Sequence, residues 1–237
     1  YLGARIQREA FRDGPQISDR ALELQRELRD AEIESEGERA EHRKRHTTYL
    51  LEMLLDRSRI DPTALNEAED IRRESAREEG APDEWRLATL MKLGVTLQEN
   101  GDPLPGAIAD LIPQLPSDEG SDGNPNIRCM AWGARLCHIL GMGDSRLKFV
   151  NAIRSKAERA LAGEEDPYKD AMGLTHACHI IDLERHDWGR GTRANNMIGE
   201  DYLKLVLEKS WKTTRDWFAE NEPTEEDPLR PLNFQYR

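Results

Sequence analysis

DPYKDAMGLTHACHIIDLERHDWG, residues 166–189, reads as a helix from end to end. Asp166 offers a side-chain acceptor to the orphan N–H groups of a first turn. Pro167, at the first helical position, has no N–H to leave unpaired. Gly189 is a natural stop. At about 100° per residue, Tyr168, Met172, His176, His179, Ile180, Leu183 and His186 fall on one broad stripe. Ala171, Leu174, Ala177, Cys178 and Ile181 occupy the other side. A helix that is apolar nearly all round is usually a buried one. The stretch therefore predicts an all-α protein, with a helical-bundle domain around a buried central helix and an acidic N-terminal helical arm or hairpin before it.

The rest of the chain agrees with that class. Ile17, Ala21, Leu24, Leu28 and Ala31 step by threes and fours, a heptad-like seam with Ser18 as its cap. The segment GERAEHRKRH, 37–46, reads as a solvated charged face, and YLLEMLL, 49–55, returns the chain to a core. Asp61-Pro62 opens a helix that turns Leu65, Ala68 and Ile71 inward. Pro82 opens another, which carries Trp85, Leu87, Leu90, Met91, Leu93 and Leu97 before Gly101. PSDEGSDGNPN, 116–126, is the clearest linker. Two helices follow at about 127–140 and 145–162, broken at GMGDS; the second turns Phe149, Val150, Ile153, Ala157, Ala160 and Leu161 one way. No stretch alternates as a strand does. The expected segments are a charged arm at 1–60, a hairpin at 61–115, the linker at 116–126, a helical domain at 127–221 and an extended tail at 222–237.

Composition narrows the classes of function. Of 237 residues, 34% are charged and 37% hydrophobic, and mean hydropathy is −0.80. That is polar for one compact globule and predicts exposed helices or partner-facing arms. No run approaches the length of a membrane span. A net charge of −12 opposes nucleic-acid binding by the surface as a whole. Cys129, Cys137 and Cys178 have no paired spacing, which suits an intracellular, reducing compartment. The sequence opens on Tyr1, which leaves room for an upstream targeting segment.

Three constellations carry chemistry. His176, His179 and His186, with Asp182 and Asp187 beside them, form a feasible set of zinc or other divalent-metal ligands. Neutral imidazoles on an apolar face serve equally as core residues when each ring N–H finds a carbonyl. Arg146, Lys148, Arg154, Lys156 and Arg159, with Arg190 and Arg193 of the later RGTR loop, form a basic set suited to a polyanion or an acidic partner surface. A solvated helix face gives the same pattern. Glu67, Glu69 and Asp70 are similar in spacing to the metal-binding helices of nucleotide pyrophosphohydrolases, which need two acidic pairs facing each other across a bundle. No nucleophile elbow or strand–loop–helix phosphate cradle is present.

His186-Asp187 also resembles the His-Asp doublet of HD-type phosphohydrolases. That resemblance implies a metal site with His138 as first ligand and Asp201 or Asp216 as last. The first expectation of function is a non-catalytic accessory or adaptor protein that binds another protein in a larger assembly. It rests on exposed charge, the N-terminal seam and the Pro-rich tail ending in Phe234 and Tyr236. A metal-dependent phosphohydrolase is the second expectation, and nucleic-acid binding through 128–159 the third.

Overall fold

The computed structural model describes residues 19–31, 35–76, 82–116, 123–166 and 170–182, together with positions 204, 205, 207–209, 212 and 215. Of this part 79% is helical, and it contains no strand. The all-α class expected from the sequence is the observed one.

Eight helices follow one another: α1 (Asp19–Arg29), α2 (Glu36–Arg57), α3 (Thr63–Ser75), α4 (Glu84–Glu99), the short α5 (Gly106–Ala109), α6 (Asn124–Ile139), α7 (Gly143–Leu161) and α8 (Ala171–Asp182). Their ends follow local chemistry. Ser35 caps α2 by accepting from the Glu38 N–H, and Asp83 caps α4 by accepting from the Arg86 N–H at 2.8 Å. Gly141, at φ 70°, stops α6, where the Met142 and Gly141 N–H groups bond the carbonyls of Cys137 and His138. That reversal needs the left-handed conformation a glycine adopts without a steric penalty.

Two hubs organise the packing. α2 lies against α1, α3 and α4, whereas α6 lies against α4, α7 and α8. α4 belongs to both groups, and this explains its sequence. A helix covered on two sides must be apolar round most of its circumference, and every residue from Arg86 to Met91 is buried, followed by Leu93, Gly94, Val95 and Leu97. Gly94 lets α4 approach its neighbours closely, because a Cβ there would stand 3.0 Å from Leu136 Cδ2 and 3.1 Å from Ile108 Cγ2. The buried residues form one cluster running from Leu22 to Ile180, so helices before and after the expected linker share a core, and α6 begins inside that linker at Asn124.

Within the 166–189 stretch, the described part of α8 is packed against α6 as expected, except at His176. Among the described residues of α8, Leu174, Ala177 and Ile180 are buried, but His176 is exposed. The core therefore takes the side carrying Leu174 and Ala177 and turns His176 outward. Asp166 pairs with Lys209 at 2.9 Å. One further inward assignment is corrected: Leu161, at the end of α7, is 37% exposed; Trp85, at the outer edge of α4, is equally open. Leu65, Ala68, Ile71, Phe149, Val150, Ile153, Ala157 and Ala160 are buried as their spacing required.

Candidate functional site

α8 places His176 on the surface, while the side chains of His179 and Asp182, and all of His186 and Asp187, lie outside the described residues. Among the described residues, no three His, Cys, Asp or Glu side chains gather as a metal-ligand set. His138, the first ligand implied by the HD resemblance, sits on α6 with Arg146 Nη1 2.7 Å from its Nδ1. A guanidinium can only donate, so Nδ1 accepts and the proton of the neutral ring lies on Nε2. In that arrangement neither ring nitrogen offers a free lone pair to a metal. Asp201 and Asp216 lie outside the described residues.

The acidic row on α3 is occupied by arginines. Glu67 accepts two hydrogen bonds from Arg26 of α1, at 2.8 and 2.7 Å. Glu69 takes a matching fork from Arg72 at 2.7 and 2.8 Å, and Asp70 pairs with Arg73 at 3.4 Å. Among the described residues no second acidic pair faces them, and these carboxylates act as ion-pair acceptors that tie α1 to α3 and brace the surface of α3.

Most charges of the 128–159 segment are likewise engaged within the molecule. Arg128 pairs with Glu52 at 2.9 Å, Arg154 with Glu158 at 2.8 Å, and Arg159 with Glu165 at 2.7 Å. Lys156 corrects the basic-face expectation outright. It is 0% exposed and stands 3.9 Å from Asp170, itself 4% exposed. Asp170 also accepts the Gly123 N–H at 2.9 Å, so this buried pair joins the body of α7 to the starts of α6 and α8. The sequence carries no marker of it, since a lysine that is buried and one that is solvated look alike. Lys148 remains exposed. Arg190 and Arg193 lie outside the described residues.

What spacing alone did not reveal is a cleft between α2 and α4. Its volume is about 260 Å³, and Tyr49, Trp85, Glu52, Thr48 and Asp83 are among the residues lining it. Tyr49 is 47% exposed. The Arg128 guanidinium lies 4.8 Å from the centre of the Trp85 ring and holds Glu52 at the same time. The indole is thus fixed in place without being covered. Exposed tryptophan and tyrosine held on rigid helices are the side chains from which binding hot spots are built.

The two described thiols are inert by comparison, and the Cys178 side chain lies outside the described residues. Burial, with Glu84 adding to it, pushes Cys129 up to about 12, and burial pushes Cys137 up to about 11. Neither forms thiolate near neutral pH. Compared with family models, with curated proteins and with solved structures, the chain has no match to any. No described helix is long and apolar enough to cross a membrane.

Proposed function

We propose that the protein is a non-catalytic α-helical accessory protein that works by binding another protein within a larger assembly. The observation that carries this reading is the Tyr49–Trp85 cleft, where two large rings stand open on adjacent helices. Ring burial on association contributes strongly, because aromatic side chains are large and lose little rotamer freedom. A second exposed apolar group supports it: Ile139, Met142 and Leu147 lie at and beside the α6–α7 turn, with Leu147 58% exposed. The engaged carboxylates of α3 and arginines of 128–159 fit a protein whose charges serve its own architecture.

The test is native mass spectrometry of the protein isolated from its own cells, followed by reconstitution with the purified partner. Wild type should run as a stoichiometric complex. The pair of changes Tyr49→Ser and Trp85→Ser should release the partner while the melting temperature holds. A protein that runs at its own mass in every preparation would overturn the reading, as would variants that retain the partner at full affinity. Elemental analysis of the same material separates it from the phosphohydrolase alternative, which requires bound metal.

A further inference from the structure

A second cleft, of about 280 Å³, opens where the C-terminal ends of α2 and α4 meet α6. Leu55 and Val95 are its buried apolar residues, and the half-buried Trp132 ring lines it as well. Arg59, Lys92 and Arg135 bring three positive charges to its lining, against the single carboxylate of Glu99.

The pairing of these cations is lopsided. Lys92 and Arg135 are 11% and 17% exposed, whereas their carboxylates Asp56 and Glu99 are 50% and 46% exposed. The positive heads thus lie deeper than the groups that neutralise them, and water screens the carboxylates more than the cations. Arg135 directs both Nε and Nη2 to the same oxygen of Glu99, and its Nη1 is buried with no hydrogen-bond partner among the described residues. A guanidinium fork normally engages two oxygens, and a buried donor without an acceptor is costly. Lys92 also stands 5.9 Å from the centre of the Trp132 ring.

Capping the helix ends does not account for the cations. Ser58 Oγ donates to the Leu55 carbonyl at 2.8 Å, and Asn100 Nδ2 donates to the Thr96 carbonyl at 2.8 Å. Those side chains already serve the ends of α2 and α4. Arg59 is exposed and forms no ion pair among the described residues.

We propose that this cleft binds a small ring-bearing oxyanion, with a phosphate monoester preferred. Three cationic heads address the phosphate oxygens, and the flat ring lies on Trp132 above Leu55 and Val95. The negative ends of α2 and α4 oppose any anion there. Affinity therefore rests on short-range contacts with Arg59, Lys92 and Arg135 and falls as salt rises. This site is separate from the Tyr49–Trp85 cleft and does not depend on the adaptor reading.

The experiment follows the indole N–H resonance of Trp132, assigned through Trp132→Phe, in nitrogen-15-labelled full chain. Phenyl phosphate should give a saturable shift, with inorganic phosphate and benzoate binding more weakly and benzyl alcohol not at all. Arg59→Ala, at an exposed position that leaves folding intact, should weaken phenyl phosphate about tenfold, the scale of one charge-assisted contact. Arg135→Gln should do the same, with its melting curve checking the fold. Absence of a saturable shift would overturn the proposal. So would an affinity unchanged by Arg59→Ala, or benzyl alcohol binding as well as phenyl phosphate.

Discussion

Around α6, contact is made by apolar side chains sealed from water: Ile127, Met130, Ala131 and Leu136 are each 0% exposed. Around α2, α1 is held differently. Ala21, Leu22 and Leu24 are buried, but polar links fix its position. Gln25 Nε2 bonds both His46 Nδ1 at 3.1 Å and the His46 carbonyl at 3.0 Å. His42 Nε2 lies 2.6 Å from the Leu28 carbonyl, Asp19 pairs with Arg57 at 3.0 Å, and Arg26 forks onto Glu67. Contacts made by burial carry no charge to screen and no group to titrate, whereas contacts made by charge and imidazole respond to both salt and pH. The apolar packing around α6 thus answers less to salt and pH than the polar links that fix α1.

The largest expected effect tests how well the α6 side is sealed. Asp170→Ala removes the carboxylate beside buried Lys156 and the acceptor of the Gly123 N–H. Breaking a buried pair from one side costs about 3–5 kcal/mol, read by urea unfolding. A loss below about 1 kcal/mol, the range of an exposed pair, would mean that water reaches Lys156. Next comes Gln25→Ala on the α1 side, where a 3% exposed amide serves His46. Its loss should cost roughly 1–2 kcal/mol, seen as faster hydrogen exchange confined to α1. Equal quickening in α6 would show that the two halves open together and erase the contrast.

Acid should act on the same joint. Burial first, then the neighbouring His42 and Arg45, hold His46 below its ordinary value of 6.5. The Gln25 amide faces it from α1, and the His42 ring lies tilted at 43° beside it, with 4.3 Å between ring centroids. The folded value is the lower one, so the unfolded chain binds more protons in the window between the two. The stability from neutral His46 is complete above about 6.5 and is lost as pH falls through the folded value. α1 amides should then exchange faster, and His46→Gln should flatten that dependence. The smallest effect belongs to Arg26 and Glu67, each 37% exposed. A double-mutant cycle should give a coupling under about 1 kcal/mol that shrinks in high salt. A larger, salt-independent coupling would place this pair with the buried contacts.

Helix positions were legible because spacing and end chemistry are local. Asp61-Pro62 precedes α3, Pro82-Asp83 precedes α4, and the break expected at GMGDS falls at its first two residues, Gly141 and Met142, with α7 already begun at Gly143. The central element was not legible in the same way. Both 84–99 and 166–189 are apolar round much of their circumference. Only the partners decide which is covered on two sides, and those partners lie far along the chain. Lys156 escaped notice because its neutralising group is Asp170, on another element. The aromatic cleft escaped because Trp85 satisfies the apolar spacing of α4 while standing at its outer edge.

The bond from the Gly123 N–H to Asp170 has a consequence in time as well as in strength. It joins the two ends of a 47-residue span that contains all of α6 and α7. Closing a span of that length costs chain entropy before the bond returns anything, so the contact forms after α6 and α7 have met. A contact that closes last would have its native interactions absent at the barrier. Replacement of Asp170 should leave the refolding rate nearly unchanged and appear almost entirely as faster unfolding in a chevron. On that order of events the buried pair would set how long the folded molecule lasts rather than how quickly it is made.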